Sequence, residues 1–262
     1  ETLPTRPQDR FNVKEGDIKV FREIILPYWK GKSLEDAVKE RVGAEISAIG
    51  KVVKINQTDH AQGHICPNTP KWLAMGPAGL KREAEEKLKT ASDDKKVFYE
   101  SVIIVLSAAQ DFMRRYSELA KKMGEEVSDS SLKENLAEIE RICAKLADSP
   151  PETFREAVQS LWFLFVILQM ESNASSFSPG RADQYLYPYF KKDIDSGRLD
   201  LAGALEIIEA LWLKFNQIVY LRNSNSAKYF AGFPIGFNIA CGGQTQDGKD
   251  ASNELSFLFL KA

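Results

Sequence analysis

The chain has 262 residues, 44% of them hydrophobic, and a formal net charge of −2. That is long enough to bury a sizeable core and carries no basic footprint for nucleic acid. Its longest uninterrupted apolar run, Leu161 to Leu168, is eight residues, far short of the ~20 a membrane span needs.

Cys66, Cys143 and Cys241 are odd in number and fit no zinc spacing, which reads as free thiols in a reducing cytoplasm. The sequence opens on Glu1-Thr2-Leu3-Pro4 and closes on the apolar Leu255 to Leu260 followed by Lys261-Ala262. A natural terminus is usually polar and frayed, so the expectation is a portion of a larger protein whose remaining chain covers that apolar end.

In chain order, an irregular start around Pro4 and Pro7 precedes a short amphipathic piece with Ile18, Val20, Phe21, Ile24 and Ile25. Ser33-Leu34-Glu35-Asp36 predicts a helix from Ser33 to Val42. Residues 55–78, punctuated by Gly63, Pro67, Pro70, Gly76 and Pro77, predict a long irregular loop, and a loop of that length is usually functional. Helices follow: Leu80 to Lys89, then Ser92 to Lys122 with Gly124 as its stop. Ser131-x-x-Glu134 reads as a capping box for a helix to about Leu146. Ser149-Pro150-Pro151-Glu152 opens another to about Glu171, apolar on all sides from Leu161 and so central to a large protein.

Ser172 to Gly180 is a second polar loop, Asp183 to Lys192 a short aromatic helix, and Leu199 to Leu221 a long one. Phe233 to Cys241 reads as a buried strand, Asp247-Gly248 as a turn, and Ser252 or Asn253 as the cap of the last helix.

Three local patterns have a chemical reading. His60 and His64 lie four apart beside Asp59 and Cys66. Zinc on such a pair needs both imidazoles on one helical face, and Gly63 and Pro67 oppose a helix, so a substrate-pocket role is preferred to a metal site or a structural loop histidine. Gly243 to Asp250 nearly spells a phosphate-binding loop, but Asp250 stands where Ser or Thr should reach the metal, and a tight turn is the better reading. Glu171 to Arg181 holds four serines and an arginine, which can either hydrogen-bond a polar substrate or cap a helix. Cys66 and Cys241 are read as buried, inert thiols.

Several stretches then resemble one family. They are Gly63-His64-Ile65-Cys66-Pro67-Asn68 with Met75 to Leu80; Ser175-x-x-x-Pro179-Gly180-Arg181-x-Asp183-Gln184-Tyr185-Leu186-Tyr187-Pro188; and Phe230 to Pro234 through Gly242-Gly243 to Leu255. With Pro27-Tyr28-Trp29-Lys30-Gly31-Lys32, the resemblance to the glycyl radical enzymes of the pyruvate formate-lyase family runs from near residue 4 to the end.

It implies an α/β fold, mostly helical over these residues, forming part of a ten-stranded α/β barrel wrapped by helices, with residues 1–262 as one partial domain. It implies lyase, dehydratase or decarboxylase chemistry, or a formate C-acetyltransferase-like reaction, on a small polar substrate in the cytoplasm of an anaerobic prokaryote. A glycyl radical installed by a radical S-adenosylmethionine activase, and a homodimeric full-length parent, belong to the same expectation.

No cysteine here stands in the family's Gly-Cys-Val-Glu stretch, so both radical-bearing residues are expected beyond Ala262, no catalytic residue or metal lies in this segment, and the segment alone is inactive. The resemblance places His64, Ser175, Ser176 and Phe233 against the substrate. Ala174 stands where diol-dehydratase members tend to carry histidine, which weighs against glycerol or propanediol dehydration. The alternative is a stand-alone helical module that uses its two polar loops to bind a partner; a reading frame continuing past codon 262 to Gly-Cys-Val-Glu would decide between them.

Overall fold

The computed structural model describes residues 3–50, 52–53, 64–171, 176–219, 221, 224–228, 232 and 236–262. It divides into two compact units, the first formed by Glu1–Ile65, Glu171–Phe177 and Val219–Gly236, the second by Cys66–Met170, Ser178–Ile218 and Phe237–Ala262. Among the described residues every regular element is a helix, and β pairing is confined to three isolated bridges.

In the first unit, α1 (Glu15–Val20) runs through a π-helical turn, Phe21–Ile25, into α2 (Leu26–Trp29). Pro27 has no N–H to return to the preceding turn, and the backbone widens just before it. Next comes α3 (Leu34–Arg41), where the Ser33 hydroxyl accepts from the Asp36 N–H at 3.1 Å, the cap the sequence predicts. The shorter α4 (Ala44–Ile49) follows, and α12 (Ser224–Ala227) belongs to the same unit.

The second unit carries the core. Its helices are α5 (Thr69–Lys89), α6 (Asp93–Glu126), α7 (Ser130–Asp148), α8 (Phe154–Glu171), α9 (Ala182–Tyr185), α10 (Tyr187–Asp195), α11 (Leu201–Asn216) and α13 (Glu254–Lys261). α6 and α7 form an antiparallel hairpin: Gln110 Nε2 donates to the Ala147 carbonyl at 2.9 Å and the Ser117 hydroxyl to the Glu140 carbonyl at 2.9 Å. Met113, Ile142, Leu146, Phe154, Leu161 and Phe165 fill the interior. Trp72 of α5 donates its indole N–H to both the carbonyl and the hydroxyl of Ser160 on α8, at 3.1 and 3.0 Å.

Five local expectations are corrected. The loop over 55–78 ends early, because α5 starts at Thr69: Asn68 accepts from the Lys71 N–H and Pro70 sits in the first turn. Gly76 and Pro77 kink that helix rather than extend the loop, since Gly76 alone takes a left-handed φ of 62° and a proline N–H is not needed at the start of the second half.

Gly124 does not end α6, which continues to Glu126. It faces α7 instead: a β-carbon there would lie 3.7 Å from Leu136 Cβ, an ordinary contact. Gly124→Ala is therefore expected to raise unfolding stability by about 0.5–1 kcal/mol in urea titrations, through lower backbone entropy in the unfolded chain. A loss of stability would show that the glycine is needed for its conformation after all.

The cap of α7 is Asp129, whose carboxylate accepts from the Leu132 N–H at 2.7 Å, and not Ser131, which already lies inside the helix. α8 is capped by Thr153 and Glu156, not by Ser149, whose N–H closes α7. Thr153 Oγ1 accepts from the Glu156 N–H at 3.2 Å, while Glu156 Oε2 accepts from the Glu152 N–H at 2.8 Å and the Thr153 N–H at 3.3 Å. Burial pushes the Glu156 carboxyl up, but hydrogen bonds from Lys145, the Glu152 N–H and Arg141 outweigh it and hold the group below its ordinary value.

Finally, the expected strand does not form over 237–241; residues 233–235 lie outside the described set. Only Ile239 pairs, in a parallel bridge with Gly180. The ladder stops on one side because Ala182 has entered α9. It stops on the other because the Ser178 hydroxyl, not a carbonyl, accepts the Asn238 N–H at 3.3 Å.

Candidate functional site

The first unit brings two of the expected pocket residues into one register. Ile65 and Phe177 form a parallel bridge, and His64 and Ser176 are the residues immediately before them on each side. Both adopt left-handed backbone conformations, φ 61° for His64 and 62° for Ser176. For a residue with a β-carbon that conformation costs roughly 1–2 kcal/mol, and such strain concentrates where a site fixes its side chains. Gly236, φ 74°, lies against Ser176: a β-carbon built on it would stand 2.6 Å from Ser176 Oγ. His64 is exposed and Ser176 half-buried, so the imidazole and the hydroxyl sit on neighbouring positions of a solvent-reaching edge.

Ser175 and Phe233 lie outside the described residues, as do Asp59, His60, Gly63 and Ala174. Among the described residues no group of three or more His, Cys, Asp or Glu could hold a metal ion, and His64 stands in a bend rather than on a helix.

A second constellation, in the second unit, was not singled out as a site from sequence. It is a polar knot around Asp183, which is fully buried. Its Oδ2 accepts from the Gly242 N–H at 2.7 Å, the Ser256 hydroxyl at 2.5 Å and Gln184 Nε2 at 2.9 Å, while Oδ1 has no partner. Arg181 donates to the carbonyls of Gly242 and Gln244 at 2.7 and 2.9 Å. Asn253 caps α13 in a reciprocal box with Ser256 and donates to the Asp183 carbonyl at 3.2 Å. Thus the Pro179–Gln184 stretch ties down the loop 241–244 and the start of α13. The one sequence hint was the density of side chains that bond to backbone, Arg181, Asp183, Gln184 and Asn253.

Cys66 is exposed, which corrects the buried reading, and its sulfur packs where Gly180 lacks a side chain, 2.6 Å from the position a β-carbon would take. Burial pushes the Cys143 thiol up to about 11, and burial with the nearby Asp183 charge raises Cys241, so both are held as neutral thiols. The Asp247-Gly248 turn forms, with Gly248 at φ 80°, and Lys249 pairs with Asp247 at 2.7 Å, which leaves the near-phosphate loop without a free ammonium.

Two concavities of the second unit contain none of the expected site residues. One is a cleft of about 350 Å³ among Arg141, Lys145, Glu156, Asp193 and Arg198, whose charges are mutually paired. The other is an apolar groove of about 1090 Å³ along Phe112, Tyr116, Trp162, Val166 and Ile207.

The family model described as pyruvate formate lyase-like matches residues 1–262. The chain belongs to the pyruvate formate lyase-like family. An isethionate sulfite-lyase of Nitratidesulfovibrio vulgaris is 32% identical over 281 residues, covering 100% of this chain and 34% of the relative. Among solved structures, the glycerol-bound B12-independent glycerol dehydratase from Clostridium butyricum superposes with a TM-score of 0.89 at 32% identity, over 100% of this chain and 34% of that one. A glycyl radical enzyme from Archaeoglobus fulgidus gives 0.85 at 34% identity, over 100% and 34%.

The pyruvate formate lyase-like chain thus spans about a third of the length of the relatives it matches. Over its described residues it is helical, as expected of this part of the helix-wrapped barrel fold on which it superposes. No helix among its described residues is long and apolar enough to cross a membrane.

Proposed function

We propose that residues 1–262 are one partial domain, the N-terminal-to-middle portion of a glycyl radical lyase, dehydratase or decarboxylase acting on a small polar substrate, and that they supply substrate-pocket wall. The observation that carries this reading is the paired placement of His64 and Ser176 at one bridge, both in strained left-handed conformations. The relatives support the range of chemistry, since they include sulfite-lyases, dehydratases and a decarboxylase.

In the parent, a glycyl radical, installed by a radical S-adenosylmethionine activase, supplies hydrogen-atom abstraction. The residues here bind and orient. The Ser175 and Ser176 hydroxyls hydrogen-bond polar groups of the substrate, Phe233 forms apolar wall, and His64 holds or moves a proton on a substrate oxygen. The parent is a cytoplasmic homodimer of an anaerobic prokaryote. Ala174, in place of the histidine of diol-dehydratase members, favours substrates other than glycerol and propanediol.

The test is anaerobic activation of the full-length parent followed by a panel of isethionate, (2S)-3-sulfopropanediol, trans-4-hydroxy-L-proline, indoleacetate, 1,2-propanediol and glycerol. Turnover of one of the first four is expected; turnover of none of the six overturns the reading. The 262 residues alone, treated the same way, are expected to give no glycyl doublet in electron paramagnetic resonance, and a doublet would contradict the placement of the radical glycine outside them.

A further inference from the structure

The Ser176 hydroxyl is half-buried and has no hydrogen-bond partner among the described residues. It points at the bare α-carbon of Gly236. A β-carbon at 236 would meet Ser176 Oγ at 2.6 Å, but Ser176 Cβ at 3.5 Å and Cα at 3.7 Å, which are ordinary contacts. Among the described residues the conflict is therefore with the hydroxyl oxygen alone. A side chain at 236 would rotate that oxygen out of its present direction and leave the backbone of Ser176 where it is. Both residues belong to the same compact unit and both have left-handed backbones.

From this geometry we infer that Gly236 is a specificity-determining position of the pocket: the missing side chain there leaves room for the present direction of the Ser176 hydroxyl, which any side chain would close off, and with it which hydroxyl-bearing or anionic group of a small substrate can be hydrogen-bonded. This rests on the reading of Ser176 as a pocket residue. A hydroxyl serves as donor or acceptor according to how it rotates, so an oxygen given room by a void, and not held by a second hydrogen bond, keeps both of its roles for the ligand. The glycine acts through Ser176, which makes it a positioning residue.

The test uses the full-length parent and the panel compound it turns over fastest. Gly236→Ala places the β-carbon; Gly236→Asn does the same with a residue that tolerates left-handed backbone, and so separates the steric effect from backbone strain. Each is expected to raise KM about 3- to 10-fold, the weight of one hydrogen bond. The glycyl radical yield should be unchanged and kcat should move less than KM. Ser176→Ala is expected to raise KM by a similar factor, and Ser176→Ala with Gly236→Ala no further than Ser176→Ala alone, because both act through one oxygen.

A wild-type KM in both Gly236 variants beside a raised KM in Ser176→Ala overturns the role of Gly236 and leaves the pocket reading standing. So does an additive double variant. A wild-type KM in Ser176→Ala itself removes Ser176 from the pocket, and this inference with it. A Gly236→Ala protein that fails to fold is replaced by the double variant, which no longer has the oxygen to clash with.

Discussion

His64→Gln in the activated parent enzyme is expected to lower turnover by about 10²–10⁴-fold, the usual weight of general acid–base help, without lowering the yield of glycyl radical. The expectation follows from where the residue stands. Its backbone is held left-handed beside the Ile65–Phe177 bridge, across from a serine in the same conformation, and the residue is exposed. Glutamine keeps the length and a hydrogen-bonding amide but cannot exchange a proton. Strain is controlled by His64→Asn, since asparagine is comfortable at positive φ; both substitutions should lose activity to a similar degree if the lost function is the proton. His60→Gln should do much less. Full activity in His64→Gln, or stoichiometric zinc lost with it, would remove His64 from the role given above.

Phe165→Ala is expected to destabilise the folded chain by about 3–5 kcal/mol in chemical denaturation, a large part of a total that is commonly ~5–15 kcal/mol. Phe165 is wholly buried in α8, edge-on to Phe215 of α11 at 5.4 Å and to Phe237 at 5.6 Å between ring centroids. Phe215 and Phe237 touch each other at 4.9 Å, so removing the third ring opens a void among stiff neighbours that cannot close it. Phe98→Ala, on the exposed face of α6, should change stability by no more than about 0.5 kcal/mol. A loss below about 1 kcal/mol in Phe165→Ala would mean that this cluster is not where α8 gains its hold.

The helices could be read from the sequence because their information is local. Apolar spacing along residues 93–126 and 130–148, and polar residues before each, mark helices whatever they pack against. Which polar residue caps was less legible: Asp129 and Ser131 both qualify chemically, and only the entry angle of the chain selects the aspartate. Glycine misled for a related reason. Gly124 serves a helix crossing with Leu136, and Gly76 a kink, and neither use differs in composition from a stop.

The strand reading at 237–241 failed because a strand needs a partner of matching length, and Gly180 is flanked by a capping serine hydroxyl and a helix start. At the site, the identity of His64 and Ser176 could be argued from residue types and the family resemblance. Their common register could not, because it depends on a pairing across more than a hundred residues that no local pattern encodes.

The indole of Trp72 offers a way to watch one joint of the molecule in solution. It is buried, and its N–H is shared between the carbonyl and hydroxyl of Ser160 at 3.1 and 3.0 Å, whereas Trp29 is largely in water. Indole emission moves to shorter wavelength as water is excluded. Trp162 and Trp212, both half-buried, emit as well, so the seating of α5 on α8 is read from the difference between the spectra of the unaltered chain and Trp72→Phe, and the exposed Trp29 contributes equally to both.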